Sequence, residues 1–310
     1  GQIADILQAR GQLDEALRIR REEQLPVYER LGDVRSIAVA KGKIADILQA
    51  RGQLDEALRS WQEEVIPALE RLGDVRSIAV AKGKIADILE ARGQLDEALR
   101  IRREEELPVY ERLGDVQLIA VTKGQIADIL QARGQLDEAL RSWQEEVIPA
   151  LERLGDVRSI AAAKGKIANI LLAQGDTAKA RRLHEERLET NRALQDADGI
   201  ASTLWALAQL DLQDEHYEAA APRVALAYAI VEHMERAQGI AAIGPVFAQF
   251  LAAGGHTSKA IEVLQRSRAA AELLGMNDLL SHIDELAKLI QPRRKDPDSG
   301  DDQASPAPTQ

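Results

Sequence analysis

The chain has 310 residues, with 40 Lys and Arg against 51 Asp and Glu, for a formal net charge of −11. That balance argues against a diffuse basic footprint for nucleic acid, and no apolar run is long enough to read as a membrane-spanning helix. The absence of cysteine removes disulfides, thiolate nucleophiles and thiolate metal sites. With no signal peptide read at its start, the chain is expected to be cytoplasmic.

Hydrophobic residues make up 45% of the chain but aromatic ones only 3%, a composition that favours helix packed on helix. Self-comparison organises the rest. Gly1, Gly42, Gly83, Gly124 and Gly165 are spaced by 41 residues, and each opens a phrase of the form G-(Q/K)-I-A-(D/N)-I-L. Met occurs only at Met234 and Met276, so the chain is expected to begin inside a longer polypeptide, or after removal of a tag. Units one and three share I-R-R-E-E followed by L-P-V-Y-E-R-L, whereas units two and four share S-W-Q-E-E-V-I-P-A-L-E-R-L. Duplication of an 82-residue double unit explains the alternation, which places Arg20, Trp61, Arg102 and Trp143 at one position.

Each unit predicts two helices. In the second, helix A spans about 33–51, with Val34, Ile37, Ala38, Ile44, Ala45, Ile47 and Leu48 at helical spacing. Gly52 stops it. Helix B spans about 54–72, with Asp55 and Glu56 in the first turn, where the helix dipole favours them. Its buried face is predicted to be Leu54, Ala57, Leu58, Trp61, Val65, Ala68, Leu69 and Leu72. Gly73 stops it, and Asp74 is suited to cap the next helix A. Loops this short make neighbouring helices antiparallel. Pro26, Pro67, Pro108 and Pro149 fall inside helix B, where proline kinks a helix or breaks it.

The fifth unit drifts to G-K-I-A-N-I-L-L-A-Q-G-D-T-A-K-A, and two weaker units start near 205 and 245. Residues 277–290 predict a last amphipathic helix that caps the array. Beyond Pro292 the chain lacks apolar residues, and 292–310 is expected to be a disordered tail.

The G-x-L-D-E-A phrase at Gly52 to Ala57, with Ala45 and Leu48 before it and Trp61 after, resembles the tetratricopeptide repeat family. The 41-residue unit is similar to the longer repeats of kinesin light chains. This resemblance covers about 1–291. It implies an all-α, right-handed α-solenoid of antiparallel helix pairs, with about seven units, the first truncated. It also implies a non-enzymatic scaffold that binds a protein or peptide as the interaction or sensor segment of a larger protein. On the family's pattern, ligand-facing positions fall on Val39, Gly42, Lys43, Asp46 and Gln49 and their repeats. The resulting candidate face holds Asp5, Lys43, Asp46, Gln49, Lys84, Asp87, Gln125, Asp128, Lys166 and Asn169, beside Gln2. These Lys and Asp columns either pair across adjacent units or contact a polar peptide. The recurrent glycine inside helix A implies a close approach there, by a neighbouring helix or a ligand.

Catalytic motifs are not found. There is no glycine-rich phosphate loop, no G-x-S-x-G and no H-E-x-x-H, so neither an enzyme, a metal nor a cofactor is expected. His184 and Glu185 read as an exposed polar face. Trp61 and Trp143 read as packing residues. Arg20 and Arg102 are expected to bury their stems and expose their heads, or to stack on a neighbouring Trp. The second functional reading is an assembly or spacer module. In the repeat register, residues 1–10 supply only half of a helix A, which leaves Val27, Tyr28 and Leu31 short of cover and favours a homodimer through that end.

Overall fold

The computed structural model describes residues 2–290, so the expected tail at 292–310 lies outside the described residues. Among the described residues there are fifteen helices in succession and no strand. They form an all-α array of tetratricopeptide-like helix pairs. The chain divides into two compact units, residues 1–183 and 184–310.

The N-terminal unit contains α1 (Gln2–Ala9), α2 (13–31), α3 (Val34–Ala50), α4 (54–71), α5 (Val75–Ala91), α6 (95–113), α7 (Val116–Ala132), α8 (136–154) and α9 (Val157–Ala173). Its boundaries follow from local chemistry. Asp33, Asp74, Asp115 and Asp156 precede the odd-numbered helices, and each carboxylate accepts the backbone N–H three residues on. That satisfies a donor the first turn leaves orphaned. At the other end of α3, Gly52 takes φ of +75° and the N–H of Gln53 returns to the carbonyl of Leu48 at 2.9 Å, a closure that a side chain at position 52 would strain.

The even-numbered helices are not broken at their prolines. In α2, α4, α6 and α8 the turn before the proline widens to π geometry. The N–H of Leu25, Ile66, Leu107 and Ile148 bonds five residues back, to the carbonyls of Arg20, Trp61, Arg102 and Trp143. Regular α-helix then resumes with the proline in its first turn. Widening the turn moves the preceding carbonyl away from the proline ring, which has no N–H to offer it. A π turn is a one-residue insertion, and the repeat length records it. Odd-numbered helices of this unit begin at Val34, Val75, Val116 and Val157, one every 41 residues.

The C-terminal unit begins within α10 (Thr177–Ala193) and continues through α11 (Ala197–Gln213), α12 (Tyr217–His233), α13 (Ala237–Ala253), α14 (Thr257–Leu273) and α15 (Asn277–Ile290). These helices start one every 20 residues, hence 40 per pair, and none of them has a π turn. The difference between 41 and 40 is the residue the π turn absorbs. Ile283 of α15 is buried in the core of this unit.

The cores confirm most of the predicted faces. Ala38, Ile44, Ala45, Ile47 and Leu48 of α3 are buried, as are Ala57, Trp61, Val65, Ala68 and Leu69 of α4. Leu72 is not: it follows the last turn of α4 as its C-cap and is 37% exposed. The glycines inside α3, α5 and α7 make room for a side chain of the even-numbered helix that follows. A Cβ on Gly42 would stand 3.0 Å from the Trp61 ring, and one on Gly124 3.3 Å from the Trp143 ring. On Gly83 it would meet the Glu106 carboxylate at 2.5 Å.

Candidate functional site

The alternation between units lies in the core. Trp61, Val65 and Leu69 form an apolar layer under Gly42, and their counterparts Trp143, Val147 and Leu151 repeat it. Between them sits a polar layer of Arg102, Glu106 and Tyr110, each at most 5% exposed. Arg102 does not expose its head or stack on a tryptophan. Its Nη2 pairs with Asp87 at 2.5 Å, and its Nη1 donates to Glu106 at 3.1 Å and to Gln125 at 2.9 Å. Arg20 is equally buried, with Nη2 on Asp5 at 2.7 Å and Nη1 on Gln24 at 3.2 Å. A buried guanidinium needs such partners, because the cost of removing it from water must be offset by charge-assisted bonds.

Arg102 faces more negative charge than it can neutralise. Asp87 and Glu106 bond to it, and Glu90 approaches Nη2 at 3.9 Å. Burial pushes the carboxyls of Glu106 and Glu90 above their ordinary values, against the pull of Arg102. The Thr122 hydroxyl donates to Glu106 at 3.4 Å. Burial also pushes the Tyr110 hydroxyl up to about 12. A carboxyl raised on folding contributes stability in its protonated form. That contribution is complete below the unfolded value of about 4.5 and fades as pH rises through the raised one. The variant Glu106→Gln is therefore expected to lose less stability than the parent between acid and neutral pH. Denaturant midpoints across pH 4–8 check it, and parallel curves would contradict it.

The predicted face places its residues as follows. Lys43 pairs with Asp5 at 2.5 Å, Lys84 with Asp46 at 3.3 Å and Lys166 with Asp128 at 2.8 Å. Hydrogen bonding from Lys43 holds the Asp5 carboxyl below its usual value. Asp87 and Gln125 serve Arg102. Gln49 is half-buried and Asn169 exposed. The charged columns are thus largely engaged with each other, as pairing across adjacent units predicts.

The open features on the same face are crevices along the odd-numbered helices. One, of about 200 Å³, is walled by Val39, Lys43 and Asp46 of α3 and by Ser77 and Val80 of α5, and floored by Trp61, Val65 and Leu69. A second hollow, of about 300 Å³, lies one unit earlier and is lined by α2 and α3. Ser36, Val39 and Lys43 wall it, and Arg20, Gln24 and Tyr28 floor it. The two floors differ in chemistry, one apolar and one polar, because the alternating positions of α4 and α2 form them. Sequence reading placed these positions on helix B and away from the groove. Between them, Val39 is 53% exposed, Val80 38% and Val121 49%, one valine per unit. A different set of crevices runs along the even-numbered helices, lined by closed ion pairs such as Arg21–Glu56 and Lys41–Glu64.

His184 corrects the sequence reading. It is 1% exposed rather than solvated, and burial, aided by the charge of Arg187, holds its imidazole down to about 4. Counting 19 residues on from Gly165 puts it in the column of Arg20, Trp61, Arg102 and Trp143, a register signal that was available in the sequence. Among the described residues, no group of His, Asp and Glu could hold a metal ion.

The succession of antiparallel helix pairs defines a tetratricopeptide-like repeat fold. No protein-family model matches the sequence, and no curated protein matches it significantly. Solved structures do match in fold. The nearly identical tetratricopeptide-like repeats of a kinesin light chain from Podosopora anserina align with a TM-score of 0.53 at 21% identity, covering 63% of this chain and 94% of that one. A Rap protein complexed with competence and sporulation factor aligns at 0.57 and 12% identity, covering 88% and 81%. A signal transduction ATPase with a tetratricopeptide repeat sensor from Pyrococcus horikoshii aligns at 0.59 and 17%, covering 93% of this chain and 50% of that one. These are likenesses of fold. Among the described residues, no helix is long and apolar enough to cross a membrane.

Proposed function

We propose that this chain is a non-enzymatic scaffold whose odd-numbered helix row holds an extended segment of a partner protein. The observation that carries the reading is the crevice between α3 and α5 over Trp61, with Val39, Val80 and Val121 exposed at one position of successive units. Exposed apolar side chains at regular intervals suit a polypeptide that sets a side chain into each crevice. The two floors favour apolar side chains over Trp61 and polar ones over Arg20. Support by likeness comes from the Rap protein, whose structure is a complex with competence and sporulation factor.

Because Asp46 already holds Lys84, valines rather than aspartates carry most of the contact. Peptides selected from a random display library against the parent chain are expected to bind the variant Val39→Asp, Val80→Asp, Val121→Asp at least about tenfold more weakly, as desolvating a new carboxylate opposes docking. The variant Asp46→Ala should change their affinity little. Equal binding to the parent and the valine variant would refute the groove.

Self-association is the second reading, favoured by Ile3, Ile6, Val27 and Leu31, all exposed at the start of the N-terminal unit, with Leu31 at 72%. Tyr28 is only half-buried, whereas its counterpart Tyr110 is buried. Light scattering should then show a concentration-dependent dimer that Ile3→Glu with Leu31→Glu abolishes. A monomer at all concentrations would exclude it.

A further inference from the structure

The C-terminal unit contains a cavity of about 700 Å³ that is separate from the valine row. Its volume lies within the range of small-molecule sites. Trp205 and Ala201 of α11, Val231 of α12 and Ile243 of α13 give it a mainly apolar lining. Trp205 is half-buried, with part of its ring left uncovered.

One wall differs in character. Arg187 of α10 lines the cavity, and its Nη2 donates to the Ser202 hydroxyl at 2.9 Å. Its Nε is buried with no hydrogen-bond partner, and the charge of Asp196 favours its cationic form. Burial lowers the pKa of this guanidinium from its ordinary value. Four other arginines of the unit, Arg223, Arg236, Arg266 and Arg268, are each paired with a carboxylate. Arg236, on the cavity rim, is held by Asp198 through Nε at 3.2 Å and Nη2 at 2.8 Å. Arg223 pairs with the buried Asp211. Arg187 is thus a partly desolvated cation with spare donors beside an apolar hollow and an aromatic ring.

We infer that this cavity binds a small apolar carboxylic acid. Its carboxylate would bond Arg187 and the Ser202 hydroxyl, and its hydrocarbon or aromatic body would lie against Trp205, Val231 and Ile243. The spare donors of one guanidinium match one carboxylate group. The remaining rim charges, Arg236 and Asp198, cancel, so a second anionic group gains nothing. A neutral apolar compound would fill the hollow but leave the buried Nε unsatisfied.

The test uses the full chain, 4-phenylbutanoate as the probe and 4-phenylbutan-1-ol as its neutral analogue. Titration is followed by calorimetry and by tryptophan fluorescence, with Trp205→Phe showing which ring responds. The acid is expected to bind at about 0.1 mM or tighter, as a probe of this size permits, and the alcohol at least about tenfold more weakly. Arg187→Gln should remove the preference for the acid while the alcohol still binds. The exposed Ser202→Ala should weaken the acid without affecting the fold. Equal affinities for acid and alcohol in the parent chain would overturn the inference. So would no binding of the acid at millimolar concentration, or unaltered acid binding by Arg187→Gln.

Discussion

Trp61→Ala is expected to cost about 3–5 kcal/mol, the range for truncating a large buried aromatic. Trp61 is 6% exposed, packs on the bare backbone of Gly42 and floors a crevice. Alanine cannot refill that space, because the glycine opposite also has no side chain. In a repeat array much of the stability resides in interfaces between neighbouring units, so the loss should reach helices on both sides. Denaturant unfolding followed by circular dichroism measures it. A loss below about 1 kcal/mol would show that the layer collapses around the gap.

Arg102→Ala is expected to be comparably damaging, at about 3–5 kcal/mol, because it strands buried acids without their cation. Glu106 and Glu90 then each keep the repulsion of Asp87 and lose the attraction of Arg102. Arg20→Ala should cost less, since its partners are the neutral Gln24 and the half-exposed Asp5. The repeat supplies its own rescue. Converting the polar layer to the apolar one by Arg102→Trp, Glu106→Val and Tyr110→Leu copies Trp61, Val65 and Leu69 onto positions 41 residues later. Replacing a buried ionic group by packed apolar residues is often neutral or stabilising by about 1–4 kcal/mol. The triple variant should therefore be at least as stable as the parent. A triple variant no more stable than Arg102→Ala would show that the polar layer also fixes the order of the units.

The N-terminal unit was legible because its punctuation is literal. Each helix end carries a glycine at positive φ, and each odd-numbered helix of its full repeats carries an aspartate cap. The C-terminal unit was harder because that punctuation is worn away. Gln195, Glu215 and Glu235 occupy the left-handed position that glycine holds elsewhere, and Arg236 precedes α13 without a capping side-chain bond. Geometry there comes from packing rather than turn chemistry, and a pattern search has less to find.

The π turns were not legible. Proline at a fixed place in helix B announced a disturbance, but a kink, a break and a one-residue widening leave the same sequence. Only the comparison of 41-residue and 40-residue spacing separates them, and that needs the boundaries of the weaker repeats. The fate of the charges was half legible. Lys and Asp columns imply pairing between units, and Lys43, Lys84 and Lys166 do pair. That Asp87 turns inward to Arg102 follows from burial, which depends on which residues share a layer. The cavity beside Arg187 was invisible for the same reason, because its walls come from four helices and carry no motif.

The proposed groove sets a polypeptide over the exposed valines of the odd-numbered helices. Because the chain has no cysteine, single cysteines at Val80→Cys and, on the opposite kind of surface, Glu63→Cys can each carry an environment-sensitive fluorophore. Titration with a display-selected peptide should change the emission of the label at 80, saturating at the peptide's affinity, and leave the label at 63 unchanged. A response at 63 without one at 80 would place the partner on another face and contradict the claim.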